Sequence, residues 1–370
     1  MSRFNYAIAI GFWAVLATPL VLDVAAFDAE LSLPGMRATT EVPMIEPEDW
    51  LDGVATQRSE QILVGGSVLA RWVVPHYNAA WYRWTARTPP AARVDDDGWI
   101  FISSRARPLP PHRYDELLDT VPALLRAQVD ALEAQGPRVV LAVVPERARL
   151  HPEHAYPEGV FPPGKEAYLA QLIQAMRDAG LTVVELEPAL RTLKQAGGEP
   201  FYRADHHWTS RGAEVAAGAL ADELQAGDAV PQSCARPGYE PFEIDWILEA
   251  EVTSLVGKLG FPDKGELERG WDRSYERARI TGPKPSDPRR APIVYVTTSY
   301  GRWGSPQMLS GALACPIVVA LRNGNSMTNA ASLQGRVRRS ADIEHTDLVV
   351  WELLEYDLYS AGGVPLGRDG

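Results

Sequence analysis

Phe201-Tyr-Arg-Ala-Asp-His-His-Trp-Thr-Ser-Arg-Gly212 sets a carboxylate and two imidazoles side by side, just before an amphipathic stretch. In extended backbone, residues i and i+2 share a side. Asp205 and His207 can therefore touch, while His206 points away. A carboxylate against an imidazole fixes its tautomer and stabilises its protonated form, so the imidazole becomes a general base in need of a nucleophile. The best-placed hydroxyl lies 92 positions on, at Ser299 in Ile293-Val-Tyr-Val-Thr-Thr-Ser-Tyr-Gly301. Here an apolar strand runs into a turn, where an exposed hydroxyl and free backbone N–H donors coincide. The three side chains together would make an acyl-transfer site. Ser299 would attack an acyl carbonyl, His207 would take and return its proton, and Asp205 would orient His207. The N–H groups of Ser299 and Tyr300 would meet the oxyanion.

Other residues compete for these roles. Gln61-Ile-Leu-Val-Gly-Gly-Ser-Val-Leu69 also runs an apolar stretch into a turn, which makes Ser67 a rival nucleophile. It leads into an aromatic cluster rather than a strand–helix unit, so Ser299 is preferred. His206 with His207, or His151 with His154, offer metal ligands. Neighbouring histidines in a strand diverge, however, and Pro152 breaks the second pair, so the chemistry is read without metal or cofactor. Trp208 and Tyr300 are candidate platforms for a sugar ring. Asn323 and Asn325, which follow a later strand, are candidate oxyanion donors, against the plainer reading of a turn.

Apolar runs that alternate with helical periods position these groups. Helices are expected over Tyr114–Gln135, Lys165–Ala179, Pro188–Gln195, from Thr209 or Ser210 to Leu224, over Pro306–Leu313 and near Ala330–Val337. Strands are expected over Arg138–Pro145, Leu181–Leu186, Ile293–Thr297, Pro316–Leu321 and Asp347–Leu353. This alternation predicts an α/β fold with a mostly parallel sheet covered on both faces. Ligands bind such sheets at the carboxyl ends of the strands. Glu60–Ala86, with Trp72, Trp81 and Trp84, reads as a helix packed on the main domain. Residues 232–290 read as an irregular insertion with short helices around Trp246–Leu259.

The chain has 370 residues, 46% apolar and 23% charged, with a net charge of −12. That balance suits a packed core and argues against nucleic acid, which needs a basic footprint. Phe4–Leu22 carries no charge, with Arg3 before it and Asp23 after it. It reads as an uncleaved signal anchor, with a cleaved signal peptide as the alternative; either exports the rest of the chain. The expected organisation is residues 1–27 as anchor or signal, 28–94 as linker and N-terminal arm, and 95–370 as the catalytic domain. Cys234 and Cys315 carry no framework pattern, so two buried thiols are the plainer expectation, with one disulfide open in an exported chain.

Phe201–Gly212 resembles the Asp-x-His-Trp signature of the alginate O-acetyltransferase (AlgJ/AlgX-like) family. Thr298-Ser-Tyr-Gly301 resembles that family's nucleophile turn, and Asp97-Gly-Trp-Ile-Phe101 its Asp-Gly-Trp-Leu-Phe strand. Val143-Val-Pro-Glu-Arg147 resembles its Val-Pro-x-Lys strand end, and Asp347-Leu-Val-Val-Trp-Glu352 its last strand. The blocks stand in the family's order over about residues 95–355. Thr297 departs from the family's usual glycine, Arg147 from its usual lysine, and residues 232–290 match poorly.

The resemblance implies an SGNH-hydrolase-like fold in permuted order, with Asp205 and His207 preceding Ser299. It implies acetyl transfer to hydroxyls of an exported polysaccharide in the periplasm, with a membrane-bound O-acyltransferase supplying the acetyl group. The N-terminal helix would hold the protein at the inner membrane. A carbohydrate acetylesterase and a non-catalytic polysaccharide-binding scaffold are the alternatives.

Overall fold

The computed structural model describes residues 68–85, 88, 92–95, 97–106, 108–156, 158–234, 242–250, 255, 274–282, 289–321 and 330–360. Ser67, Asn323, Asn325 and the N-terminal apolar segment lie outside them. Among the described residues no helix is long and apolar enough to cross a membrane. Helix α1 (Val68–Thr85) belongs to one compact unit; the second begins at Pro90 and carries everything described below.

In that unit a short antiparallel pair, β1 (Ala92–Val94) and β2 (Ile100–Ile102), precedes the long helix α2 (Pro111–Glu133). There follow β3 (Arg138–Val144), α3 (Pro163–Asp178), β4 (Thr182–Glu185), α4 (Glu187–Gln195) and α5 (Ser210–Ala226). An antiparallel ribbon, β5 (Glu243–Ala250) with β6 (Ser274–Thr281), leads to β7 (Ile293–Thr297), a 3₁₀ turn (Ser299–Trp303) and α6 (Ser305–Leu313). The chain continues through β8 (Ile317–Leu321), α7 (Ala330–Ser340), β9 (Leu348–Leu354) and α8 (Glu355–Ser360).

The central sheet has the order β4-β3-β9-β7-β8, and every pairing is parallel. Its strands are mostly apolar because both faces are covered, and the two-residue period deals alternate side chains to two cores. From β3, Val139, Leu141 and Val143 join the core under α2, α3 and α7, while Val140, Ala142 and Val144 join the core under α4, α5 and α6. β9 divides in the same way: Val349, Trp351 and Leu353 go to one side, Val350 and Leu354 to the other. The chain moves outward from β3 to β4 and, in the other direction, from β7 to β8, with β9 filling the middle. Such a reversal opens a crevice beyond the carboxyl ends of the central strands.

Two expectations are corrected here. Residues 243–250 form a strand where short helices were expected, and residues 274–281 form its partner strand within a stretch read as irregular. Ile244, Trp246, Ala278 and Ile280 recur every second residue and lie half-buried on the α4–α6 core, a strand period that the intervening charges obscure. Arg211 of α5 lies over the Trp246 ring at 3.6 Å. The cysteines are not free thiols: Cys234 and Cys315 form a disulfide that ties the segment after α5 to the end of α6.

That disulfide bridges 81 positions of sequence, a loop for which chain entropy gives about 4 kcal/mol of stabilisation. Reduction is therefore expected to lower the thermal midpoint by several degrees, measured by calorimetry with and without reductant. Thiol titration of the denatured, unreduced protein should return no free thiol.

Candidate active site

The site forms where β3, β7 and β9 end. Phe201 and Trp208 pair as an antiparallel bridge and close the intervening residues into a short loop. Tyr202 N–H donates to His207 O at 3.2 Å, and Thr209 N–H donates to Pro200 O at 3.0 Å. Thr209 then caps α5 by accepting from Gly212 N–H at 3.0 Å. Position 212 takes no side chain, because a Cβ there would sit 2.2 Å from Pro200 O. The loop and the helix start are thus locked together.

Inside this loop Asp205 is 1% exposed, and its Oδ1 accepts from His207 N–H at 2.7 Å and from His207 Nδ1 at 2.5 Å. A carboxylate only accepts, so Nδ1 carries the proton and Nε2 presents its lone pair outward. Ser299 Oγ lies 2.7 Å from that Nε2 and donates to it. Asp205, His207 and Ser299 therefore stand in line, in reach for proton transfer. Ser299 opens the 3₁₀ turn at the end of β7, so its amide has no acceptor within the turn.

The neighbours depart from the sequence reading in several places. His206 does not point away, because residues 203–207 bend rather than extend. Its ring lies on that of His207, with centroids 3.9 Å apart. Trp208 is fully buried, and its Nε1–H donates to Tyr300 O at 2.9 Å; it braces the nucleophile turn and presents no face to a sugar. The Tyr300 side chain is likewise buried, and its hydroxyl donates to His206 O. The Tyr300 N–H, expected to face an oxyanion, is engaged by Thr298 Oγ1 at 3.3 Å. As for metal ligation, the donor atoms of Asp205, His206 and His207 lie within 4.8 Å of one another. Both His207 nitrogens are already committed, one to Asp205 and one to Ser299. His151 is buried against the Trp99 ring at 4.1 Å, and His154 Nδ1 is bound to Asp95 at 2.5 Å.

Residues that sequence reasoning missed complete the site. Arg147 is buried and donates through Nη1 to Tyr202 O at 2.7 Å, Arg203 O at 2.8 Å and Asp205 O at 2.5 Å; its Nη2 donates to Ile100 O. One guanidinium thus holds the carbonyls of the Asp–His loop and ties them to β2. Its sequence signal was the arginine at a lysine position. Trp303, four residues after Ser299, is half-buried between Tyr202 at 4.8 Å and Arg277 at 5.4 Å, with its ring 6.0 Å from that of His207. Beside the triad a depression is lined by Phe101, Arg105, Pro145, His206, Tyr300 and Tyr356. Arg105 lies over the Tyr356 ring at 4.3 Å, and Lys165 Nζ holds its carbonyl at 2.6 Å.

Burial, and then the adjacent His207, push the His206 pKa down from 6.5 to about 3. The unfolded chain therefore binds this proton more tightly than the folded one. The associated stability is complete above pH 6.5 and is lost as pH falls toward 3, by about 2 kcal/mol at pH 5. His206→Gln, which never charges, should move the acid-unfolding midpoint to lower pH in a circular dichroism titration.

The family described as SGNH hydrolase-like domain, acetyltransferase AlgX, matches residues 93–355, more than half of the chain. Over 323 residues the chain is 26% identical to the probable alginate O-acetylase AlgJ of Pseudomonas putida, spanning 81% of this chain and 82% of that protein. It is 30% identical over 206 residues to the probable alginate O-acetylase AlgJ of Pseudomonas aeruginosa, spanning 56% of this chain and 50% of that protein. The solved O-acetyltransferase domain of Pseudomonas putida AlgJ superposes with a TM-score of 0.57 at 25% identity, covering 73% of this chain and 93% of that domain.

Proposed function

The chain belongs to the family of SGNH hydrolase-like acetyltransferases represented by AlgX, and from that premise we propose that it is a polysaccharide O-acetyltransferase working through an acetyl group on Ser299. The observation that carries this reading is the line Asp205 Oδ1, His207 Nδ1, His207 Nε2, Ser299 Oγ, with links of 2.5 Å and 2.7 Å.

Each step follows from that line. Ser299 Oγ attacks the carbonyl carbon of an acetyl ester while its proton passes to His207 Nε2. The imidazolium is stabilised by Asp205, which stays hydrogen-bonded to Nδ1. The tetrahedral intermediate collapses, the C–O bond to the donor breaks, and the leaving oxygen takes the proton from His207. A sugar hydroxyl then attacks the acetyl-enzyme. Its proton goes to His207, the Ser299 ester bond breaks, and the proton returns to Ser299 Oγ. The Ser299 amide at the start of its turn is the backbone donor best placed for the oxyanion in both halves.

The setting of this reaction is extracytoplasmic. The relatives are named for alginate, and the acceptor assigned to this chain is an exported polysaccharide of that kind. The disulfide between Cys234 and Cys315 suits an oxidising compartment. The uncharged stretch Phe4–Leu22 fits an inner-membrane anchor that holds the catalytic unit on the periplasmic side, near a membrane-bound O-acyltransferase that supplies acetyl groups.

Incubation with p-nitrophenyl acetate should add one acetyl group to Ser299, visible by mass spectrometry. The group should then move to an oligosaccharide acceptor, and Ser299→Ala and His207→Ala should each abolish the adduct. Acetate release at a rate no acceptor changes would make the protein an esterase instead. Labelling that persists in Ser299→Ala would remove the proposed nucleophile.

A further inference from the structure

β9 carries an unusual side chain. Its even-numbered residues face the apolar core under α5 and α6, and there, between Val350 and Leu354, it places the carboxylate of Glu352, which is 2% exposed. A buried carboxylate normally requires a cation or a full set of hydrogen bonds. Among the described residues, the groups that hydrogen-bond to Glu352 are neutral donors. Oε1 accepts from Thr297 Oγ1 at 2.7 Å, from Thr298 Oγ1 at 3.2 Å and from Thr298 N–H at 3.3 Å. Oε2 accepts from Tyr295 O–H at 3.1 Å. All four donors lie on the last residues of β7 and the residue that joins it to Ser299.

The direction of each bond matters. A threonine hydroxyl has a single proton. Because the Thr298 proton is drawn to Glu352, its lone pairs remain for Tyr300 N–H at 3.3 Å, which caps the turn. Thr297 is held from the other side as well. A Cβ at Gly301 would lie 2.4 Å from Thr297 Cγ2 and 2.5 Å from its Oγ1, so the turn is packed directly on the threonine that Glu352 anchors. Burial raises the Glu352 pKa to about 7 against the opposing pull of the hydrogen bonds from Thr297, Thr298 and Tyr295, which favour the ionised, acceptor-only form.

We propose that Glu352 is a positioning residue for acyl transfer: from the neighbouring strand it fixes Thr297 and Thr298, and through them it holds Ser299 within hydrogen-bond reach of His207. This rests on the acyl-transfer reading of the same site. It assigns a role to a residue that touches none of the reacting atoms. Glutamine at 352 replaces one acceptor oxygen by a donor amide, and valine at 298 keeps the shape of threonine while removing its hydroxyl.

The test measures Ser299 acetylation by p-nitrophenyl acetate in stopped flow, using the full chain in detergent. The proteins compared are the wild type, Glu352→Gln, Thr298→Val, the double variant and Thr298→Ser. Each of the first two variants should slow acylation about tenfold at saturating ester, with KM within twofold of wild type. The double variant should be no slower than the worse single variant, because both break one chain of bonds. Thr298→Ser should restore the rate.

A parallel labelling of Ser299 with phenylmethylsulfonyl fluoride requires only an activated serine at this turn, and the variants should rank there in the same order. If the wild type labels with the sulfonyl fluoride but never acetylates, the acyl-transfer reading falls and the ranking still decides Glu352. A wild-type rate for Glu352→Gln, or losses that multiply independently in the double variant, would overturn the proposal. Should Glu352→Gln not fold, as judged by circular dichroism, a wild-type rate for Thr298→Val overturns it alone.

Discussion

The site depends on a buried guanidinium. A loop that bends at successive residues leaves its carbonyls without the partners a helix or strand would supply, and buried carbonyls need donors. Arg147 meets that need for Tyr202, Arg203 and Asp205 at once, and its remaining fork reaches Ile100 on β2. Its plane also lies over the Phe101 ring at 4.3 Å. Lysine presents three donors from one point, whereas arginine offers five in a rigid fork, and that geometry suits several carbonyls spread around a loop. Asp205 can then meet both the amide and the ring of His207, because its own backbone is fixed from below.

A second charged cluster holds the other side of the crevice. Lys165 pairs with Glu146 at 2.5 Å, and Arg149 pairs with Glu355 at 2.6 Å, all four buried. Glu355 also accepts from Glu146 N–H at 2.8 Å, so the end of β3 and the end of β9 are tied through one carboxylate. Burial alone would raise the pKa of Glu355, but the hydrogen bonds and charge of Arg149 hold it below the ordinary value. Removing one partner of such a pair leaves an uncompensated charge in the core, so the cluster enforces geometry more than it adds stability. Lys165 carries the constraint onward to the Arg105 carbonyl, and with it the wall of the depression beside the triad.

Much of this was legible in the residues. Largely apolar runs such as Val139–Val144 and Leu348–Leu354 read as strands covered on both faces, and the types and spacing of Asp205, His207 and Ser299 pointed to the three side chains that the structure sets in line. The ribbon of β5 and β6 was not legible. Its half-buried Ile244 and Trp246 alternate with acidic side chains, and nothing local names the partner strand some 30 residues away. Exposure was hidden as well. Trp208 beside a histidine reads equally well as a platform or a brace, and only the path of the Phe201–Trp208 bridge decides for the brace. Glu352 and Arg147 escaped for a common reason. Each acts on residues 47 to 58 positions away, and a single charged residue carries no periodicity to betray it.

One departure from the family pattern is matched by its neighbours. Threonine at 297 stands where the resemblance leads one to expect glycine, immediately before the nucleophile turn. A side chain there needs space, and the structure provides it at Gly301, where a Cβ would collide with Thr297. It also brings a hydroxyl into an apolar layer, which is costly unless that hydroxyl is bonded. Glu352 accepts it at 2.7 Å. The carboxylate in turn is tolerable in that layer because Thr297, Thr298 and Tyr295 supply its donors. Residues 297, 301 and 352 are therefore coupled: replacing any one alone leaves a clash, a void or an unpaired polar atom directly beneath Ser299.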